Sequence, residues 1–147
     1  MTVSEESVAV VAGLFEERSD GVVLLAGSCP KCQRRYFPRP EACREPSCDR
    51  ALLSGTVLSG PGTLWSYTIQ HYPAPAPFRF DLAGPYGIGV IEFADGLRVL
   101  GMIAPQSRDR LRTGDPVGLT SITLYVDSDG RSVRTWALTA ASSGGEK

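Results

Sequence analysis

The amino-acid sequence predicts a mainly β protein with an N-terminal helix, a zinc-ribbon module and a five-stranded barrel. Three observations predict this fold class. The four cysteines lie between residues 29 and 48, apolar and polar residues alternate in several runs between residues 55 and 140, and Asp-Gly pairs separate some of these runs. Alternation is typical of half-buried strands, and Asp-Gly between two apolar runs indicates a hairpin. With 147 residues, the chain has the size of one ordinary domain or a small domain plus a module.

Residues 1–21 are assigned to the N-terminal helix, with helical periodicity over residues 4–18. Asp20 and Gly21 end the pattern, and Ser4 or Ser7 can cap its start. An isolated helix of this length is marginal in water, so it is expected to pack on its own domain or on a partner. The apolar positions at helical spacing are Val8, Val11, Ala12 and Phe15.

Residues 22–54 are assigned to the zinc ribbon, which begins with a strand over residues 22–28. The cysteines follow the pattern C-x2-C-x10-C-x4-C, which suits one tetrahedral ion. Four thiolates leave no open position on the ion, so the expected role is structural, with Zn²⁺ as the metal or Fe as the alternative. Disulfides or unpaired thiols are the competing interpretation. The acidic N-terminus and the lack of a long apolar run predict a cytoplasmic protein, which favours the metal. The predicted ligands are Cys29, Cys32, Cys43 and Cys48.

Residues 55–140 are assigned to a barrel of five strands. A Ser-Gly-Pro-Gly run at 59–62 bends the first strand, and a short connector at 108–115, with room for a turn of helix, joins the third strand to the fourth. These features suit a small Greek-key barrel of the OB type. Residues 141–147 are predicted to form a disordered tail. The predicted strands cover residues 63–72, 87–93, 97–103, 116–126 and 132–138. In the first of them, Trp65, Tyr67 and Ile69 are expected on one face.

The segment from His71 to Pro85 is predicted to be a long loop, because its alternating prolines lack amide donors for a sheet. The loop is apolar and aromatic, so we expect it to be covered rather than exposed to water. His71 is the only histidine in the chain. No motif supplies a nucleophile or acid beside it, so it is interpreted as a loop anchor or interface residue, and no catalytic residue is predicted.

A basic group lies within and after the first cysteine pair and includes Lys31, Arg34, Arg35 and Arg39. One interpretation is a phosphate-binding surface for a nucleotide-like cofactor or RNA. The other is the solvated side of the cysteine module, with Tyr36 and Phe37 packed inward. The net charge of -1 gives the whole chain no drive toward nucleic acid.

Four motifs, in this order and spacing, resemble the DUF35 family. They are GSCPKC at residues 27–32, YFPR at 36–39, PYGIGVIEF at 85–93 and LRTGDPV at 111–117. The resemblance implies a rubredoxin-like zinc ribbon joined to an OB-fold. It also implies an accessory subunit that binds thiolase-like enzymes, for example in a 2:2 complex, and helps to enclose or channel a CoA thioester. The implied reactions are those of thiolases, acyltransferases and retro-aldolases such as those of steroid side-chain cleavage, with the catalytic residues in the partner.

Under this resemblance, two groups of residues are expected to contact the partner or CoA. The expected partner or CoA contacts are Arg34, Arg35 and Arg39 in the basic group, and His71, Tyr72, Phe78, Phe80 and Tyr86 in and after the loop.

The alternative function is nucleic-acid binding by an OB-fold with a zinc ribbon, in which Trp65, Tyr67 and Tyr72 stack on bases.

Overall fold

The structure, a computed structural model, describes residues 7–48, 50–72 and 85–141. Within these ranges the chain forms ten strands and one short 3-10 helix at Pro105–Ser107. No helix in the described ranges has the length and apolar character to cross a membrane. The strands are β1 Ser7–Ala9, β2 Phe15–Arg18, β3 Gly21–Ser28, β4 Arg35–Tyr36, β5 Ser54–Leu58, β6 Gly62–Gln70, β7 Tyr86–Glu92, β8 Arg98–Ile103, β9 Pro116–Val126 and β10 Ser132–Ala140.

Strands β6 to β10 close into a barrel. The larger sheet has the order β1-β10-β8-β7-β6-β9, and a further pairing of β9 with β10 completes the ring. Side chains alternate along each strand, so every second residue fills the interior. Leu64, Ile91 and Leu138 are fully buried there. This confirms the prediction of a mainly β fold with a five-stranded barrel of the OB type.

A second sheet forms the cysteine-bearing ribbon. Strand β3 pairs with β2 through residues 21–24 and with β4 through Gly27 and Ser28, and β5 pairs with residues 24–28 of β3. The two sheets meet at Trp136 of β10. The Trp136 ring makes edge contacts with Phe15 at 6.0 Å and Phe37 at 5.5 Å between ring centroids, and its indole N–H donates to the Leu100 carbonyl at 3.0 Å. The ribbon and the barrel therefore share one hydrophobic core.

The predicted N-terminal helix is wrong over the part of it that the structure describes, and residues 1–6 lie outside the described residues. Strand β1 pairs in parallel with β10, and β2 pairs antiparallel with β3. Gly13, with a φ of +84°, lies in the turn between them. The helical spacing of apolar residues did not distinguish a helix from two short strands. The edges of β10 and β3 supply backbone hydrogen-bond partners, so tertiary pairing outweighs a marginal local helix.

The alternation predicted for the first barrel strand is wrong at Trp65. The pairing of β6 with β7 runs from Leu64 opposite Ile91 to Ser66 opposite Val90, so the register skips Trp65. Such a bulge places the extra residue out of phase with the strand. Leu64 enters the barrel core, whereas Trp65 is 46% exposed.

The other boundary predictions have mixed outcomes. The turn of helix lies at Pro105–Ser107, just before the predicted connector at 108–115. The division at residues 54 and 55 between ribbon and barrel stays a prediction, and β5, which crosses it, pairs with the ribbon strand β3. Residues 142–147 of the predicted tail and residues 73–84 of the predicted loop lie outside the described residues.

Candidate metal centre and neighbouring surfaces

The four cysteine thiols converge at one end of the ribbon. Cys29 follows β3 directly, and its amide N–H donates to the Arg34 carbonyl at 2.9 Å, which folds the segment into a tight turn. Gln33 adopts a left-handed φ of 66° within this turn. The second pair lies on the segment between β4 and β5. The four Sγ atoms, from Cys29, Cys32, Cys43 and Cys48, all lie within 4.8 Å of one another.

The spacing of the sulfur atoms fits a tetrahedral metal. The distance from Cys29 Sγ to Cys48 Sγ is 3.7 Å, and that from Cys32 Sγ to Cys43 Sγ is 3.6 Å. Four sulfurs at about 2.3 Å from a central ion are about 3.8 Å apart, so both distances match. They are much longer than a disulfide bond of about 2.05 Å, and the four cysteines are free thiols. The donor set suits Zn²⁺ or Fe, held by these four residues in a structural role.

Local hydrogen bonds prepare the two buried cysteines as thiolates, the form that binds metal. The amide N–H groups of Cys32 and Lys31 point at Cys29 Sγ from 3.5 and 3.4 Å. Because these donors stabilise the anion, they lower the pKa of Cys29 to about 6. The Tyr36 hydroxyl lies 3.4 Å from Cys43 Sγ, and this contact lowers the pKa of Cys43. Burial raises the pKa of Cys48.

A cleft of about 570 Å³ separates the first cysteine turn from the β7–β8 hairpin. We call it the arginine cleft, because Arg34, Arg35 and Arg98 line it. Each guanidinium already has a carboxylate partner: Arg34 pairs with Glu45 at 2.9 Å, Arg35 with Asp95 at 2.7 Å and Arg98 with Glu92 at 3.0 Å. The cleft is therefore an ion-paired surface rather than an unneutralised basic patch.

The pairing of Arg35 with Asp95 joins the ribbon to the barrel. Two nitrogens of Arg35 donate to the two Asp95 carboxylate oxygens, both at 2.7 Å. The same guanidinium lies 5.9 Å from the centre of the Phe93 ring. The hydrogen bonds from Arg35 lower the pKa of Asp95. This bidentate geometry fixes the hairpin relative to the first cysteine turn.

Beside the cleft, the outside of β6, β7 and β8 carries apolar side chains, of which those on β6 and β8 are exposed and the one on β7 is half-buried. We define the outer barrel face as Trp65, Val90 and Leu100. Val90 pairs with Ser66 on one side and Leu100 on the other, so the three side chains lie on adjacent strands. Leu100 is 60% exposed. The Arg98 guanidinium lies 3.8 Å from the centre of the Trp65 ring, which connects this face to the cleft.

The predicted contact residues fall into separate places. Arg34 and Arg35 lie together in the arginine cleft, but Arg39 lies elsewhere and donates to the Leu53 carbonyl at 2.6 Å. Tyr86 is buried against Met102 and Leu124 rather than exposed. Phe78 and Phe80 lie outside the described residues.

His71 and Tyr72 are exposed beyond the end of β6. Their neighbour Gln70 pairs with Tyr86 at the start of β7, while Glu92 at the other end of β7 leads into the hairpin. Seven residues of strand span about 20 Å, at about 3.3 Å per residue. The start of the loop and the arginine cleft are therefore at opposite ends of the β6–β7 pair, and the outer barrel face lies between them.

Sequence reasoning missed three features of this region. Asp95 was interpreted only as a turn residue, Leu100 only as part of a strand, and Tyr36 only as an aromatic packed inward. The Asp-Gly turn signal gives no indication that the carboxylate binds an arginine 60 positions away. The alternation in β8 could have identified Leu100, since it predicts an outward apolar side chain there.

A four-thiol ribbon packed on a five-stranded Greek-key barrel defines the class of protein, a metal ribbon joined to an OB-type fold. Residues 56–120 match the family described as ChsH2, C-terminal OB-fold domain. The chain is 36% identical over 81 residues to a DUF35 domain-containing scaffold protein of Methanocaldococcus jannaschii, covering 54% of each chain. It is 30% identical over 95 residues to a protein of the same description from Methanothermobacter thermautotrophicus, covering 64% of this chain and 68% of the relative. The chain belongs to the DUF35 family.

Two further likenesses are more distant. The chain is 25% identical over 96 residues to a probable enoyl-CoA hydratase alpha subunit of Thermomonospora curvata, of which it covers 28%. A solved structure described as Ltp2-ChsH2(DUF35) aldolase shares the fold with a TM-score of 0.60 and 22% identity, over 80% of this chain and 84% of that chain. The chain spans about half the length of the Methanocaldococcus relative and just over two thirds of the Methanothermobacter relative.

Proposed function

We propose that this chain is a non-catalytic accessory subunit of a thiolase-like enzyme complex that acts on CoA thioesters. Its role is to hold the complex together and to help enclose or channel the acyl-CoA. The observation that carries the proposal is the outer barrel face, where Trp65 and Leu100 are exposed on a well-formed barrel. The description of two relatives as scaffold proteins supports it.

The outer barrel face has the composition of a protein interface. A contiguous apolar surface on a folded domain marks a site that another molecule covers. Tryptophan and arginine are enriched among the residues that dominate binding energy at such sites. Here Arg98 stacks on Trp65 and pairs with Glu92, so both side chains are ordered before a partner arrives. Less side-chain entropy is then lost on binding.

The partner supplies the catalytic groups in this proposal, and the reaction is that of a thiolase, an acyltransferase or a retro-aldolase of steroid side chains. The fold shared with an Ltp2-ChsH2(DUF35) aldolase and the likeness to a probable enoyl-CoA hydratase subunit support an association with acyl-CoA chemistry. CoA phosphates would meet Arg34 and Arg35 in the arginine cleft. They would then replace Glu45 and Asp95 as the acceptors of these guanidiniums.

The test is co-purification with a thiolase-like protein sought among the genes adjacent to the one that encodes this chain. Leu100→Glu places a charge on the outer barrel face, and Val126→Glu is the matched control, because Val126 is 57% exposed at the end of β9, beside the β9–β10 turn. We expect Leu100→Glu to weaken the complex by about 30-fold or more, the effect of losing an interface hot spot worth about 2 kcal/mol. Val126→Glu should leave the affinity unchanged. The proposal fails if the wild-type chain does not bind and its omission leaves the partner's activity unchanged.

One observation favours a second candidate, a nucleic-acid-binding OB protein. Trp65 and Tyr67 are both exposed on β6, where aromatic rings can stack on bases. The carboxylate partners of the cleft arginines weigh against a backbone-binding groove. Titration with a fluorescent single-stranded oligonucleotide at several salt concentrations distinguishes the candidates. Tight binding that weakens steeply with salt would favour nucleic acid.

A further inference from the structure

Tyr36 contacts the candidate metal centre through its side chain. Its hydroxyl oxygen lies 3.4 Å from Cys43 Sγ and accepts the Arg44 amide N–H at 3.0 Å. A thiolate bound to a metal has no proton to donate, so the sulfur can only accept in this pair. Because the Arg44 amide occupies one side of the hydroxyl oxygen, the phenolic proton is left to point at Cys43.

The hydrogen bonds to Cys29 and Cys43 differ in one respect, which is the side-chain hydroxyl at Cys43. Cys29 Sγ receives backbone N–H groups from Lys31 and Cys32, which remain whatever the side chains at those positions. Cys43 Sγ receives the Tyr36 hydroxyl in addition to a backbone hydrogen bond from Glu45, so the charge on this sulfur depends in part on which residue occupies position 36. The Tyr36 ring packs in the small cluster that contains Cys43 and Leu53, which holds the hydroxyl in place.

We propose that Tyr36 is a positioning residue whose hydroxyl donates to the metal-bound Cys43 thiolate and thereby sets the affinity and electronic character of the centre. A hydrogen bond to a ligand sulfur withdraws charge from it and fixes its orientation, and such outer contacts typically change metal affinity by 10- to 100-fold. Hydrogen bonds to sulfur also raise the reduction potential of iron–thiolate centres. This role requires no partner protein and is independent of the proposed function.

The test uses Tyr36→Phe, which removes only the hydroxyl, and Tyr67→Phe as the matched control, because Tyr67 is a 40% exposed tyrosine of β6 outside the cluster around Cys43. Zinc affinity is measured by competition with a chelator, and the sulfur-to-metal charge-transfer bands are recorded with Co²⁺ as the probe. We expect Tyr36→Phe to bind zinc about 10-fold more weakly. Its charge-transfer bands should shift to longer wavelength, because the unbonded sulfur is richer in electrons. Tyr67→Phe should match the wild type in both measurements.

A purely structural role gives a different pattern. Tyr36→Phe also removes the acceptor of the Arg44 amide, so it can lower the melting temperature by that route alone. A lowered melting temperature with wild-type affinity and charge-transfer bands would overturn the proposal. If Tyr36→Phe does not fold, the wild-type protein labelled with fluorotyrosine provides a second measurement. Fluorotyrosine is a stronger donor and should shift the bands to shorter wavelength, and unchanged bands would equally overturn the proposal.

Discussion

The contact between Gly101 and Trp136 makes the joint between ribbon and barrel testable. A Cβ atom added at Gly101 would lie 2.9 Å from Trp136 Nε1 and 3.1 Å from Trp136 Cδ1. Trp136 cannot move away easily, because it is 7% exposed and is held by Phe15, Phe37 and the Leu100 carbonyl. Gly101→Ala should therefore cost about 2 kcal/mol of unfolding free energy, within the range for overpacked cores.

Trp136→Phe relieves the same contact while introducing a cost of its own. The smaller ring lacks the indole N–H, so the Leu100 carbonyl loses its donor, at a cost of about 1–3 kcal/mol. In the double variant the alanine methyl group occupies the space that the indole leaves. We expect the double variant to lose about 2–3 kcal/mol rather than the sum of about 4 kcal/mol, which gives an interaction energy of 1–2 kcal/mol between the two positions.

The assay is urea unfolding of the wild type, the two single variants and the double variant at matched metal content. Unfolding is monitored by far-ultraviolet circular dichroism, because Trp136→Phe removes a tryptophan and so changes the fluorescence signal. Gly118→Ala is the matched control. It also lies in a barrel strand, but its added Cβ would meet only the Thr139 Cγ2 atom at 4.0 Å. This variant should be neutral or slightly stabilising. Additive costs for Gly101→Ala and Trp136→Phe, within about 0.5 kcal/mol, would refute the packing argument.

The remaining predictions concern the metal centre and the arginine cleft. Metal analysis should find about one Zn or Fe per chain, and Cys29→Ser should lower both the metal content and the melting temperature, because a lost ligand leaves an open, weaker site; an unaltered melting curve would argue against a structural metal. Asp95→Asn should destabilise the protein at pH 7 by less than about 1 kcal/mol, because Asp95 is 42% exposed. Arg35 lowers the pKa of Asp95 in the folded state, so this stabilisation is present above about pH 4 and is lost as the pH falls through the lowered pKa. The stabilisation is measured by urea unfolding of Asp95→Asn and wild type at a series of pH values. Asp129→Asn, at the exposed β9–β10 turn, is the control. A difference in unfolding free energy between Asp95→Asn and wild type that does not change with pH would contradict the prediction.

The barrel was predictable from the sequence because its strands are local patterns with clear ends. The prediction of 116–126 coincides with β9, and the predicted 97–103 differs from β8 by one residue. Alternation and turn residues act within a few positions, so one sequence contains the whole signal. The metal centre was predictable for a related reason, because two close cysteine pairs can meet around one ion after a single reversal of the chain.

The N-terminal helix and the face of Trp65 were not predictable in this way. The backbone partner of β1 is Ser132–Arg134, more than 120 positions along the chain, and no local pattern contains that pairing. The bulge at Trp65 arises where the register of β6 against β7 shifts. Alternation read along one strand assumes an unbroken register, so it placed Trp65 on the same face as Tyr67 and Ile69.

The contacts around the candidate site depend on how the two sheets dock. The sequence places Arg34 and Arg35 side by side, which suggested a joint phosphate-binding role, but their acceptors Glu45 and Asp95 come from a different loop and a different sheet. The contact of the Tyr36 side chain likewise depends on another part of the chain. Its aromatic character predicted an inward position, whereas its hydrogen bond to Cys43 depends on the path of the chain between β4 and the second cysteine pair.

These contacts connect the metal centre to the outer barrel face by a continuous path. A metal bound by the four thiols would fix the segment between the two cysteine pairs, which contains Arg35 and Phe37. Phe37 packs on Trp136, whose indole N–H holds the Leu100 carbonyl in β8. The Leu100 side chain emerges on the outer barrel face, on the opposite side of β8 from the inward position of Gly101. A structural metal can therefore support the surface that we propose to bind a partner without contacting the partner itself.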